Sequence, residues 1–169
     1  MEQLELIVAI FEGEETRAGE VLELIQKLAS EKALVLKAAA VIVHSQGGQI
    51  EITEIGDVDS KQGRVLGAVS GALVGLLGGP IGAVAGAVAG AAAGGVAASL
   101  IDLGVPQQMI DDVKADLKPG SSAIITYVAL DWVYKAIANL QNEGAIVHHE
   151  TIQQKTLDDA VGALEGAPA

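Results

Sequence analysis

The chain has 169 residues, with 22 acidic and 10 basic side chains, four aromatic residues, 21 glycines and no cysteine. This length suits one domain, whose core must be mostly aliphatic because aromatic side chains are so few. The formal net charge of -12 argues against a nucleic-acid partner, and the lack of cysteine excludes disulfides and thiolate chemistry.

The first third of the chain predicts a strand, a helix and two further strands. Residues 4–11 alternate with a period of two and are mostly apolar on both sides, as in a strand with both faces at least partly covered. Acidic residues then precede an amphipathic helical pattern over residues 18–29. Residues 34–44 predict a second strand, which a turn at 46–49 joins to a third strand at 50–55.

An uncharged run of 37 residues, from Val65 to Ile101, dominates the middle of the chain. Its glycines recur at every fourth position in two sets, which places small residues along one stripe of each of two helices and lets the helices approach closely. The run therefore predicts a glycine-zipper hairpin within residues 63–103. The predicted packing positions are Gly67, Gly71, Gly75, Gly82, Gly86, Gly90 and Gly94. The predicted turn consists of Gly78, Gly79 and Pro80, where proline ends the first helix.

Three environments could bury this hairpin: a lipid bilayer, the interior of a homo-oligomer, or the core of its own domain. The second arm would be roughly 31 Å long, enough to cross a hydrocarbon core of ~30 Å, whereas the first arm, at roughly 24 Å, is marginal. The rest of the chain is too small to cover so much apolar surface, so we expect lipid, other copies of the chain, or both. Lys61 and Arg64 are the expected interfacial anchors.

The chain after the run predicts a helix, a strand, a helix and a strand. Met109, Ile110, Val113 and Leu117 mark the first helix, and residues 122–130 predict a strand. We expect Asp131 to cap the second helix, Gly144 to end it and residues 145–152 to form the last strand.

The predicted order of elements is βαββ, hairpin, αβαβ. Without the hairpin and the final helix and strand, this order is βαββαβ, the ferredoxin-like α+β topology, in which two helices cover one face of an antiparallel sheet. We therefore divide the chain into the first part of the α/β domain (1–62), the hairpin (63–103), the second part of the domain (104–152) and a tail (153–169).

Three segments together resemble a known family: the opening strand LELIVAIF, the third strand GGQIEITEIGD and the zipper RVLGAVSGALVGLLGGPIGAVAGAVAGAAAG. The chain resembles an uncharacterised bacterial family of predicted membrane proteins that carry a domain of unknown function, and the similarity extends to about Ile152. The resemblance implies a membrane-associated hairpin. It supplies no catalytic residues.

Catalytic and metal-binding patterns are poor. The sequence contains neither a Gly-x-Ser-x-Gly nucleophile motif nor a phosphate-binding glycine loop, and the acidic clusters lack calcium-loop spacing. His148 and His149 are consecutive in a predicted strand, so their side chains should point to opposite faces. Ordinary sheet histidines are the expectation; a site built from His44, one of this pair and Glu150 is the alternative. We expect no enzyme activity, cofactor or metal.

The sequence thus predicts a non-enzymatic, membrane-associated protein that assembles with copies of itself through the hairpin. The alternative is a small-ligand-binding regulatory ferredoxin-like domain with a membrane anchor. A pore is disfavoured because no charged residue lies between Arg64 and Asp102 to coordinate an ion. Expected partners are other copies of the chain and membrane lipid, with any small ligand unspecified. Acidic Glu2 and Glu5 in place of a basic leader favour a cytoplasmic domain at the membrane, or else a cytoplasmic assembly.

Overall fold

The structure, a computed structural model, describes residues 3–31, 36–55 and 104–153, together with residues 66, 67, 69, 70, 73, 77, 155, 156, 158 and 159. The strands and helices agree with the predicted elements to within a few residues. They are β1 (Gln3–Phe11), α1 (Arg17–Ser30), β2 (Leu36–His44), β3 (Ile50–Ile55), α2 (Gln107–Asp116), β4 (Ser121–Ala129), α3 (Val133–Asn142) and β5 (Ile146–Gln153), with a 3-10 turn at Leu130–Trp132.

The five strands form one sheet in the order β3-β2-β4-β1-β5, and every neighbouring pair is antiparallel. The α+β class is therefore confirmed. The predicted strand placement is wrong: a ferredoxin-like core made of the first four strands would put β3 between β1 and β2. Instead β4 lies there, with Ile125 opposite Val8 of β1 and Ile124 opposite Val41 of β2.

The side chains of the two strands explain this order. All residues of β4 from Ser121 to Val128 are buried, so this strand suits a position with neighbours on both edges and cover on both faces. In β3, by contrast, Glu51 and Thr53 are exposed. A strand with one polar side is more stable at the edge of a sheet, and that is where β3 lies.

Both faces of the sheet are covered, as the pattern of β1 predicts. On the face that we name the α1 face, Ile7, Ala9 and Phe11 pack with residues of α1 and α3. On the opposite face, the α2 face, Leu6 and Val8 pack with residues of α2. The expectation that the first two predicted helices share one face is therefore wrong, because alternate residues of β1 are apolar on both sides and each side requires its own cover.

Buried serines at the start of β4 hold the turn between β1 and α1. The Ser122 hydroxyl donates to the Glu14 carbonyl over 2.5 Å and accepts from the Ala18 amide over 3.1 Å. The Ser121 hydroxyl accepts from the Gly13 amide over 3.0 Å. Both side chains belong to the packing of the sheet, since each hydroxyl satisfies backbone groups that burial would otherwise leave without partners.

The predicted cap of α3 is wrong. Trp132 occupies the N-cap position without a side-chain capping bond, and Asp131 lies in the preceding 3-10 turn. The chain makes this tight turn directly after β4, so the helix begins later than the capping pattern suggests. Gly144 follows the end of α3 with a φ of 92°, a left-handed conformation that glycine adopts readily.

Candidate functional site

The start of the uncharged run lies on the α2 face of the sheet. Residues 66, 67, 69, 70, 73 and 77 are helical. Leu66, Val69 and Leu73 are 2%, 1% and 3% exposed and belong to the same core cluster as β1 and α2, with Leu77 packed against it. Their spacing of three, four and four residues forms one stripe of a helix. For these residues, the expectation that the run avoids the core of its own domain is wrong.

This stripe and α2 cover the sheet side by side. A small cavity of about 10 Å³ lies between them, lined by apolar side chains that include Leu6 and Val8 of β1, Val69 and Leu73 of the run, and Met109 of α2. Its volume is about that of a single water-sized sphere. The cavity is therefore too small for an organic ligand.

Ser70 supplies a polar group within this apolar stripe. Its side chain is fully buried, and its hydroxyl donates to the carbonyl of Leu66 over 2.8 Å, one turn earlier in the same helix. This internal bond gives the buried hydroxyl a hydrogen-bond partner. Gly67, the first predicted packing glycine, is helical and half-buried.

The other residues that the sequence predicts for the hairpin lie outside the described residues. They are Gly71, Gly75, Gly82, Gly86, Gly90 and Gly94, the turn residues Gly78, Gly79 and Pro80, and the anchors Lys61 and Arg64. Within the described part of the chain, no helix is both long enough and apolar enough to cross a membrane.

The prediction that His148 and His149 point to opposite faces is confirmed. His148 Nε2 lies 2.8 Å from Asp116 Oδ2 at the end of α2, whereas His149 Nδ1 lies 2.5 Å from Glu5 Oε1 on the α1 face. His44 is buried, and its Nδ1 lies 2.9 Å from the carbonyl of Leu117. Among the described residues, no three histidine or acidic side chains form a group that could hold a metal ion.

Glu5 is a buried carboxylate that sequence reasoning missed. It is 4% exposed, and in addition to the contact with His149 its Oε2 accepts a hydrogen bond from the Thr151 hydroxyl over 2.7 Å. Both oxygens of the carboxylate therefore have partners on β5. The sequence does contain an indication of it. Glu5 is a lone acid in a mostly apolar strand, and such an acid needs a polar partner when both faces of the strand are covered.

Tyr127 lies in the core of the α2 face. Its side chain is fully buried, and its hydroxyl has no hydrogen-bond partner among the residues that the structure describes. Burial raises the pKa of this phenol, because the charged phenolate would lose its hydration. The group contributes to the packing of the core, and no described acid or base is paired with it.

A comparison with protein families found a match to the part of the chain that contains the uncharged run. Residues 65–167 match the family DUF1269, described as a protein of unknown function. The chain belongs to the DUF1269 family. The predicted resemblance to a family of unknown function is therefore confirmed at that level, and the match contains the uncharged run but not the opening and third strands on which the resemblance also rested.

The DUF1269 match begins at the first residue of the uncharged run and continues through α2, β4, α3 and β5. It thus contains the run together with the two strands that follow the run in the chain, β4 and β5. No curated protein and no solved structure matches this chain.

Proposed function

We propose that this DUF1269 protein is a non-enzymatic assembly protein that associates with copies of itself, and with membrane lipid, through its uncharged run. In this proposal, the first residues of the run are fixed in position by packing against the folded α/β domain. The observation that carries the proposal is the burial of Leu66, Val69 and Leu73 in the core of the α2 face.

This burial supports the proposal because it couples the run to the folded domain. An uncharged segment joined by a flexible linker would assemble without affecting the position of the domain. A segment whose first turns are part of the core instead fixes the position of the domain relative to the partners that the segment binds. In an ideal helix, Gly67 lies about 100° around the axis from Leu66, so the glycine positions and the core-facing stripe belong to different sides. Small residues on a side away from the domain suit close approach of a second helix.

The charge of the chain supports the same division of roles. The 32 charged side chains all lie outside the run, with acidic residues in excess, so the domains of neighbouring copies repel one another. The uncharged run carries none of this repulsive charge, so it is suited to supply attraction between copies. Anionic lipid headgroups would likewise repel the acidic domain, which leaves the run as the part suited to lipid. We propose a cytoplasmic position for the domain.

The first test is flotation of the expressed full chain with lipid vesicles on a density gradient, without detergent, combined with light scattering on the same fractions. We expect the protein to float with the vesicles or to form a heavy, uniform, lipid-free particle. A light monomer that stays at the bottom of the gradient contradicts both forms of the proposal.

The second test changes the glycine stripe. We expect the double variant Gly71→Leu and Gly86→Leu to reduce particle mass, because leucine prevents two helices from approaching closely. The matched control, Ala72→Leu and Ala87→Leu, adds a leucine one position further along each predicted arm and should leave the mass unchanged. Equal masses for the two double variants would show that the glycine stripe is not the contact.

We also propose that the sheet is a ferredoxin-like core with a different set of strands from the one first predicted. Support comes from the order β5-β1-β4-β2, in which β4 lies antiparallel between β1 and β2, as in a split βαβ arrangement. In this proposal, β3 is an added edge strand, and the uncharged run and α2 are inserted between β3 and β4. An experimental structure with another strand between β1 and β2 would refute it.

A further inference from the structure

The sheet ends in two edge strands. Among the described strands, β5 pairs with β1 alone and β3 pairs with β2 alone. The outer edge of such a strand presents backbone N–H and C=O groups that can pair with a further strand. Proteins usually protect these edges with charged residues, proline or bulges, so the chemistry of each edge shows which one is open to a partner.

The two edges differ in this chemistry. Strand β3 has the sequence IEITEI, and its Glu51 is exposed, so two such edges would bring Glu51 carboxylates together. Strand β5 has the sequence IVHHETIQ, with one acid, neither lysine nor proline, and Ile146 left 38% exposed. The edge of β5 is therefore the less protected of the two.

We propose that β5 pairs antiparallel with β5 of a second copy of this chain, about a two-fold axis at His149, to give a continuous ten-stranded sheet. In such a pair, directly opposite residues point to the same face, so the axis must pass through a residue rather than between two residues. The axis at His149 places His148 opposite Glu150 and Ile146 opposite Ile152 on the α2 face. It also places Val147 opposite Thr151 on the α1 face.

The neighbouring registers are worse. An axis at Glu150 would put the two Glu150 carboxylates opposite each other, and an axis at His148 would put Ile146 opposite Glu150. Like charges directly opposite each other destabilise a cross-strand pair, whereas polar partners that can form a hydrogen bond and apolar pairs stabilise it. The register centred on His149 also covers Ile146, a large apolar side chain that the single chain leaves exposed.

Contacts within the chain already hold the central side chains. Glu5 fixes His149 through Nδ1, and Asp116 fixes His148 through Nε2. The structure describes no contact for Glu150, which leaves its carboxylate available to the partner. Pairing therefore requires little rearrangement of β5. This inference goes beyond the proposed function because the contact contains no residue of the uncharged run.

The decisive experiment uses the absence of native cysteine. Full-length His148→Cys and Glu150→Cys proteins are mixed and oxidised gently. Directly opposite positions approach closely enough for a disulfide, so the mixture should cross-link several-fold faster than either variant alone. The matched control is a mixture of Glu51→Cys and Thr53→Cys on the β3 edge, which should cross-link slowly. Equal rates in the two mixtures, or faster cross-linking of a single variant, would overturn the proposal.

A second measurement needs no cysteine and decides the matter if a cysteine variant misfolds. Glu150→Lys and Glu51→Lys raise the net charge equally, but only the first changes the proposed contact. We expect Glu150→Lys to weaken edge pairing about tenfold by sedimentation, because two symmetric pairs with His148 are lost. Glu51→Lys should have no effect. An equal effect of the two substitutions would refute the contact, whatever the glycine variants show about the run.

Discussion

The two faces of the sheet are covered in different ways. The α1 face is covered by α1 and α3, two helices that lie outside the uncharged run and contain charged residues. The α2 face is closed by α2 together with the first turns of the uncharged run. Among the residues that the structure describes, one face is thus covered without the run, whereas the other uses the run as part of its core. Any process that pulls the run away from the sheet would expose the α2 face and leave the α1 face intact.

The largest expected effect follows from this difference. Leu66→Ala should lower the free energy of unfolding by about 2–5 kcal/mol, because it removes a fully buried side chain from the α2 face. Leu24→Ala, in an α1 side chain that is 45% exposed, should change it by less than about 1 kcal/mol. Urea unfolding followed by circular dichroism measures both. Equal, small effects would show that the run contributes nothing to the core.

The histidines of β5 sharpen the comparison, because each binds a carboxylate on a different face. His149→Ala should cost about 1–3 kcal/mol, since it leaves buried Glu5 with a single partner, Thr151. His148→Ala should cost less than about 1 kcal/mol because the side chain of its partner, Asp116, is 31% exposed. The same unfolding experiment at neutral pH compares them, and a larger cost for His148→Ala would contradict the assignment of the buried pair.

Tyr127→Phe tests the energetic cost of a buried hydroxyl in the core of the α2 face. Removing a buried hydroxyl that lacks a partner should stabilise the protein by about 1 kcal/mol, whereas Tyr134→Phe, in a side chain that is 88% exposed, should have no effect. A loss of stability in Tyr127→Phe would mean that the hydroxyl has a partner in solution.

The same phenol predicts a pH dependence. The pKa of Tyr127 is raised in the folded state, so above pH ~10 the unfolded chain releases this proton more readily than the folded protein. The contribution of Tyr127 is therefore intact below pH ~10, and the free energy of unfolding falls as the pH rises further. Thermal unfolding between neutral and strongly alkaline pH should show a smaller loss in Tyr127→Phe than in the unmodified chain.

The smallest expected effect concerns the link between the two helices of the α1 face. Arg17 of α1 donates to Glu143, at the end of α3, over 2.6 Å, and both side chains are about one-third exposed. Arg17→Ala should cost about 0.5–1 kcal/mol, and less at high salt. A double-mutant cycle with Glu143→Gln measures the coupling; zero coupling at low salt would show that α1 and α3 are held by apolar packing alone.

Local patterns were enough to predict the elements. The alternation in β1, the turn after His44 and the glycine after α3 each act within a few residues of the chain, and the opposite directions of His148 and His149 follow from the pleat of a strand. The position of β4 depends instead on contacts distant in sequence. The sequence does indicate this position, since β4 is apolar on both sides and β3 is not. The prediction instead followed the order of elements along the chain, which matches the ferredoxin-like topology.

The candidate site was harder to predict because two helical patterns overlap in the run. The recurrence of glycine at every fourth position is conspicuous in the sequence, whereas the helical spacing of Leu66, Val69 and Leu73 in the same run is easily overlooked. Glu5 was missed for a related reason. Its partner Thr151 lies 146 residues away, and no local pattern connects the two.

The central position of β4 has a consequence for the order of events during synthesis. Strands β1 and β2 have no direct pairing, and β4, which joins them, leaves the ribosome after the whole uncharged run has been made. At ~5–20 residues per second, the chain from Ile101 to Ala129 takes roughly one to six seconds to add. Throughout that interval the run is present while the sheet that will bury its first turns is incomplete. The nascent chain therefore cannot bury Leu66, Val69 and Leu73 in a complete core until β4 has been added.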